Sequence, residues 1–319
     1  MEPLSSHGRL RRAIGGALPQ WLKPRLGEAR QQYRPRPLAV PAAYSKTPPP
    51  DPAPTISLVT PSLNHGRYIE QTIASVLDQS YPRLEYVVMD GGSTDDSETI
   101  LGTYRSRLHH LESGPDGGQA NAINRGFEHT KGELMGWVNS DDVLLPGSLA
   151  YVTRVFARHP KVDLIYGHRI LIDQQGRDVG LWITPRHSRD ALRWFDLVPQ
   201  EATFWRRRFW DRVGGIDERL SVAFDWELFL RFEEDNATIR RVPRLLGGFR
   251  LHPEQRTRRE AETAQRELDS IREQWHGRHV SLDEARSRVD RFRRRSLPHD
   301  ALRRLISAIP IGRSVVRYG

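Results

Sequence analysis

The stretch Gly132-Glu133-Leu134-Met135-Gly136-Trp137-Val138 runs into Asn139-Ser140-Asp141-Asp142 and leaves through Val143-Leu144-Leu145-Pro146-Gly147. The apolar run reads as a buried strand, and Pro146-Gly147 starts a new element. Adjacent carboxylates repel, so Asp141 and Asp142 call for a cation or a solvated turn. They stand at a strand's carboxyl end, the edge where open α/β sheets bind ligands, and a divalent cation carrying a phosphorylated ligand suits such a pair. Taken alone, the pair reads more simply as a helix cap or a solvated turn.

Two upstream stretches repeat the strand-to-polar-loop pattern. Ile56-Ser57-Leu58-Val59-Thr60 enters Pro61-Ser62-Leu63-Asn64-His65-Gly66, and Leu84-Glu85-Tyr86-Val87-Val88-Met89-Asp90 enters Gly91-Gly92-Ser93-Thr94-Asp95. A helical pattern follows each: Ile69, Ile73, Val76 and Leu77 share one face, and Ile100, Leu101 and Tyr104 cluster after the second loop. The order β-α-β-α predicts a parallel sheet. In the second loop the glycine pair admits close backbone approach, Asp90 can accept hydrogen bonds from a base or ribose, and Thr94 or Asp95 can cap the next helix. A third loop, Glu112 to Gly118, opens an alanine-rich helix. Asn121 and Asn124 share a helical face there, with Gln119 and Arg125 close by, placed either to touch a diphosphate or simply to cover the helix surface.

Five segments in this order carry a resemblance: Pro61-Ser62-Leu63-Asn64, Asp90-Gly91-Gly92-Ser93-Thr94-Asp95, Gly117-Gly118-Gln119 through Gly126-Phe127, Asn139-Ser140-Asp141-Asp142, and Phe224-Asp225-Trp226-Glu227-Leu228-Phe229-Leu230-Arg231. Residues 54–255 thereby resemble glycosyltransferase family 2. The resemblance implies the α/β GT-A fold, a Rossmann-like, mostly parallel sheet flanked by helices. It implies a nucleotide-sugar half at 54–145 and an acceptor half at 146–255. Pro61, Leu63, Asn64, Asp90 and Asp95 carry over as nucleotide contacts, with Asp90 facing the base, and Gln119, Asn121, Asn124, Asn139 and Ser140 complete the expected nucleotide-sugar set. The family's Asp-any-Asp motif falls on Asn139-Ser140-Asp141, making Asp141 the ligand of Mg2+ or Mn2+. Asn139 departs from the pattern: its amide oxygen can coordinate but brings no charge. Asp142 either supplies the missing charge or only fixes the loop.

The family's catalytic base matches Asp225, with Phe224 in place of the acid that usually precedes it. Leu228, Phe229 and Phe232 repeat at helical spacing beyond it, so Asp225 sits near a helix start, where a carboxylate is also favoured by the dipole alone. Pro199 to Arg207 resembles the acceptor-side strand, which makes Gln200 and Trp205 candidate donor-sugar or acceptor contacts. His252 resembles a late histidine directed at the metal or diphosphate in some GT-A enzymes. The Gln-any-any-Arg-Trp signature of processive synthases is missing, so transfer of a single sugar is expected.

The 319 residues contain no cysteine, which excludes a disulfide framework and thiolate chemistry and leaves oxygen ligands for a metal. Without a secretory signal or an apolar run of spanning length, a cytoplasmic protein is expected, peripheral on the inner face of the membrane if its ends bind lipid. Charge gathers at those ends. Residues 1–53 carry nine basic against three acidic side chains and 256–319 sixteen against nine, leaving 54–255 at −4 within a total of +9. No nucleic-acid motif accompanies the basic ends. Leu302, Leu305, Ile306 and Ile309 beside Arg303 and Arg304, and Leu10, Ile14, Leu18, Trp21 and Leu22 among Arg11, Arg12 and Lys23, form basic amphipathic stripes suited to an anionic membrane surface or to packing on protein. Residues 1–53 are expected to be a basic extension with a proline-rich linker from Tyr33 to Pro54, and 256–319 a basic helical extension.

The expected function is metal-dependent inverting transfer of one sugar from a nucleotide-diphosphate sugar to an acceptor hydroxyl, the acceptor being a glycan or lipid-linked, in surface glycan or polysaccharide assembly. A degenerate member that binds sugar nucleotide or glycan without turnover rests on Asn139. A nucleotidyltransferase would want a basic phosphate-gripping loop, and Pro61 to Gly66 offers no Lys or Arg before Arg67.

Overall fold

A computed structural model describes residues 29–292, 294 and 312–318. The stripes at 10–22 and 302–309 lie outside the described residues. No helix among the described residues is long and apolar enough to cross a membrane.

The first half is built as the patterns predict. Strands β2 (Ile56–Ser62), β3 (Leu84–Asp90), β4 (His110–Ser113) and β5 (Leu134–Trp137) lie parallel in the order β4-β3-β2-β5. Helices α1 (Gly66–Leu77), α2 (Ser97–Tyr104) and α3 (Gln119–Glu128) make the crossovers. Strand β2 is buried along its whole length because it is covered on both faces. Its alternate residues enter two different cores. Ile56 and Leu58 join Ile69, Ile73, Tyr86, Val88, Leu149 and Phe156 on one face, while Val59 joins Val87, Met89, Ile123, Phe127 and Trp137 on the other. The first core is closed by α4 (Ser148–Arg158).

Beyond β5 the sheet becomes mixed. It continues through β9 (Thr203–Arg206), β7 (Leu164–Ile172), β10 (Ile239–Arg250) and β6 (Val143–Leu144), with β8 (Asp178–Trp182) paired to β7. Strands β9 and β8 run antiparallel to β7, whereas β10 runs parallel to it. Helices α5 (Arg207–Val213) and α6 (Phe224–Glu234) cover the second core. After residue 255, the described stretches Arg256–Arg259 and Ala261–His276 are helical and fold back on the domain. Helix α7 (Ala261–His276) buries Ile271, and its Glu267 carboxylate accepts bonds from Ser221 N (2.6 Å), Val222 N and Ala223 N (2.9 Å each), capping the start of α6.

The stretch from Tyr33 to Pro54 is not the free linker its prolines predicted. Strand β1 (Ala39–Pro41) pairs antiparallel with β11 (Arg313–Val315), Leu38 and Val40 are buried against Val143, Leu145 and Ile170, and Arg36 pairs with Asp178 at 2.9 Å. Extended backbone rich in proline serves a short edge ladder as well as a linker. On the other side of the ribbon, Tyr318 Oη donates to Leu144 O at 2.7 Å.

Close helix–sheet contact in the first half depends on Gly126 of α3, where an added Cβ would stand 2.6 Å from Val59 Cγ1. Replacing Gly126 by Ala should therefore cost about 1–3 kcal/mol through overpacking, more than the gain in helix propensity returns. A thermal melt showing an unchanged or raised Tm would contradict this.

Candidate active site

The carboxyl ends of β2 to β5 open on one edge of the sheet, and the loops there are tied to one another before any ligand arrives. Asn64, in a left-handed turn (φ 53°), accepts Thr94 N on Oδ1 at 2.8 Å, and its own N–H reaches Ser93 Oγ at 2.7 Å. Asp95 bridges two helix starts by accepting Gly66 N at 2.8 Å and Ser97 N at 3.0 Å. Burial raises its pKa, but the bonds from Ser97 and Gly66 outweigh this and hold it below the usual carboxylate range. Asp90 is buried and accepts Ser93 N, Ser93 Oγ and Ser113 Oγ. Leu63 projects from this rim, 54% exposed.

Facing that rim, the amide of Gln119 joins two sides of the cleft. Its Nε2 donates to Asn139 Oδ1 at 2.8 Å, and its Oε1 accepts from Arg256 at 3.2 Å. Asn121 and Asn124 do not join it. Both donate to Glu218 (3.0 and 2.8 Å), and Asn124 also exchanges bonds of 2.9 Å with Ile216 N and O. The amide of Asn124 is thus saturated as a clamp between α3 and the 216–218 loop.

The acidic loop separates the roles of its two carboxylates. Asp141 Oδ2 lies 2.8 Å from His252 Nε2, and His65 Nδ1 lies 2.7 Å from Ser140 Oγ. One donor atom each from His65, Asp141 and His252 falls within 4.8 Å of the others. Burial acts to raise the Asp141 pKa, but the His252 hydrogen bond and the fields of His65 and His252 keep it below the ordinary range. Asp142 points away from this cluster. It is 1% exposed and accepts Arg250 N at 2.9 Å, and burial, then the charges of Asp141 and Glu201, push its pKa well up. Of the two readings open for Asp142, the loop-fixing one matches its placement.

Arg250 holds the loop from behind. Its fully buried guanidinium donates to Asp141 O (2.7 Å), Asp173 O (3.1 Å) and Gln71 Oε1 (3.0 Å). The hydroxyl of Thr72 lies 2.9 and 2.7 Å from the carbonyls of Ser140 and Asp142.

On the opposite wall, Asp225 sits in the first turn of α6, and its Oδ1 accepts Trp226 N at 2.8 Å. Burial pushes its pKa up to about 6 against the pull of local backbone donors and Arg169. Asp196 is pushed up well above the usual value, by burial and then by the charge of Asp225. Beside them Arg169 reaches Glu201 at 3.2 Å while its guanidinium stacks over Trp182 at 3.8 Å. Gln200, in a 3-10 turn, donates to Trp137 O at 2.6 Å and leaves Oε1 buried without a hydrogen-bond partner. Trp205 is in the core instead: it is 0% exposed, with its ring against Trp137 and Trp210, so it has no surface to offer a sugar.

Comparison with known proteins gives the family and the fold. The profile of Glycosyl transferase family 2 matches residues 57–210, and an uncharacterized glycosyltransferase of Mycobacterium tuberculosis (strain H37Rv) is 31% identical over 185 residues, 56% of this chain and 69% of that one. The chain belongs to glycosyltransferase family 2. The fold of this transferase is GT-A, shared with S. aureus TarS 1-349 in complex with UDP-GlcNAc (TM-score 0.57, 20% identity, 80% of this chain and 73% of that one). It is shared also with the mannosyltransferase PcManGT of Pyrobaculum calidifontis in complex with GDP-Man and Mn2+ (TM-score 0.55, 16% identity, 94% and 82%).

Sequence reasoning did not single out His65, Arg250, Arg169, Asp196 or Glu267 for this transferase. His65 follows Asn64 in a motif already quoted, but its partners Ser140 and Asp141 are brought near only by the packing of α1 on the acidic loop. The arginines were hidden because an isolated arginine in a strand carries no periodic signal.

Proposed function

We propose that the transferase moves one sugar from a nucleoside-diphosphate sugar to an acceptor hydroxyl, with inversion and with help from a divalent cation, in glycan assembly. The observation that carries this reading is the cluster of Asp141, His252 and His65 at the carboxyl end of β5, in a domain that also buries the Asp225 carboxyl with its pKa pushed up to about 6. Two imidazoles and an ionised carboxylate fit a divalent metal, the imidazoles adding ligand atoms but no charge where Asn139 has replaced a carboxylate. Imidazole ligands favour Mn2+ over Mg2+, which prefers oxygen. The cation, when bound, offsets negative charge on the departing diphosphate.

The remaining roles follow from position. Leu63, Asn64, Asp90 and Asp95, with Pro61 behind them, form the nucleotide rim, and Asp90 is oriented by Ser93 and Ser113 to face the base. Gln119 holds the Asn139 amide, and Ser140 holds His65, so both act on the diphosphate side. Asp225 takes the acceptor proton as the new glycosidic bond forms, and Gln200 lies where the donor sugar passes between the walls. Because TarS binds UDP-GlcNAc and PcManGT GDP-Man, the choice of base and sugar is left to a donor panel.

Donor binding should be at least tenfold tighter with Mn2+ than in chelator, with Mg2+ weaker than Mn2+, and His252→Gln should remove most of the Mn2+ effect. Calorimetric titration of UDP- and GDP-sugars into the full chain reads this. Equal affinity in chelator would remove the metal from the proposal.

A further inference from the structure

The described residues contain a second group able to ligate a cation, on the edge strand of the sheet and at the end of helix α3. His110 and Glu112 alternate on one face of β4, the edge strand, and His129 follows the last turn of α3. Helix α3 begins at Gln119 beside Asn139, and its ten residues span about 15 Å, so His129 is carried well away from the cleft.

The geometry of the group is unlike an ion pair. His110 Nε2 and His129 Nε2 face the same oxygen, Glu112 Oε2, at 3.8 and 3.7 Å, both beyond hydrogen-bond reach. The two rings stack with centroids 3.7 Å apart and planes 15° apart, so their in-plane lone pairs run nearly parallel and one ring must turn about its Cβ–Cγ bond to share an ion. His110 Nε2 is shut off from solvent and has no hydrogen-bond partner. Arg125, one helical turn before His129, binds the other oxygen of Glu112 and so turns Oε2 toward the imidazoles.

Two ligands each about 2.1 Å from a tetrahedral zinc stand about 3.4 Å apart, close to the spacing seen here. A pair of imidazole nitrogens with one carboxylate oxygen suits a borderline cation and not Mg2+ or Ca2+. We propose that His110, Glu112 and His129 form a second metal site, for Zn2+ or an ion of the same class, that fastens edge strand β4 to the end of α3. The site is separate from the sugar-transfer chemistry. It stiffens the helix whose first residue, Gln119, reaches Asn139.

The test titrates Zn2+ alone into full-length chain carrying Asp141→Asn, so that the catalytic cluster contributes little, and follows it by calorimetry and thermal melting. One Zn2+ should bind and raise Tm. Adding His129→Gln, a half-exposed position beyond the helix end, should weaken Zn2+ binding at least tenfold and abolish the rise. Co2+ in place of Zn2+ should give the intense visible bands of a four-coordinate ion in Asp141→Asn and lose them in the double variant. His129→Gln alone should leave Mn2+-dependent donor binding intact, which shows that the chain is folded and separates this proposal from the catalytic one. Zn2+ binding or Co2+ bands that survive His129→Gln unchanged, or an Asp141→Asn chain that binds no Zn2+, would overturn it.

Discussion

Asp225→Asn should lower the rate of sugar transfer by about 10² to 10⁴-fold while leaving donor affinity nearly unchanged. The substitution keeps size and hydrogen-bonding shape but removes the group that can accept a proton. The pH profile gives the same assignment a second reading. With a pKa of about 6, the carboxyl is protonated and inactive below that pH and ionised above it, so the wild-type rate should fall about tenfold per unit below pH 6 and level off above 7. The fold raises this pKa, so the folded state holds the proton more tightly than the unfolded chain; whatever stability Asp225 contributes is present at low pH and lost as pH rises through about 6. An Asn variant at pH 8 should therefore be no less stable than the parent. Collapse of donor affinity along with the rate would make Asp225 a binding residue, and a flat profile through pH 6 would remove it as the base.

The second large effect belongs to Arg250. Arg250→Met keeps much of the apolar stem but withdraws a buried guanidinium from Asp141 O, Asp173 O and Gln71 Oε1. Leaving such acceptors buried and unpaired should cost about 3 kcal/mol or more. Because one of them is the carbonyl of the acidic-loop residue Asp141, any Mn2+-dependent donor binding should weaken as well, even at a temperature where the variant is fully folded. Denaturant unfolding and donor titration separate the two effects. Loss of stability with unchanged donor affinity would show that the loop holds its shape without Arg250.

Legibility along the chain followed the range of the interactions. From Ile56 to Leu145 most elements are signalled within about ten residues by periodicity and by Gly, Pro and Asp at the turns, and the parallel sheet is as expected, but β4 is not, because Glu112 and Ser113 read as loop. The acidic loop could be located but not resolved, since whether Asp141 or Asp142 faces the cleft is decided by the backbone of Arg250, more than a hundred positions away. Trp205 was misplaced because an aromatic in a short strand reads the same whether its ring meets a sugar or Trp137. The proline-rich stretch after Tyr33 misled for a related reason. Nothing local announces a ladder whose partner is Arg313–Val315.

That ladder has a consequence for the birth of the molecule. Ala39 pairs with Val315, and a chain emerging amino end first holds β1 without its partner until the 276 residues that follow Ala39, up to and including Val315, have been made. The flank beside β6, with Leu38 and Val40 on it, is therefore sealed late, by a segment whose Tyr318 then clasps Leu144, two positions after Asp142. Truncation from residue 298 onward removes that clasp along with the amphipathic stripe, so a membrane role for Leu302, Leu305, Ile306 and Ile309 is better tried with polar replacements in the full-length chain. A nascent chain stalled short of Arg313 would carry the catalytic loops nearly assembled and the flank beside them open.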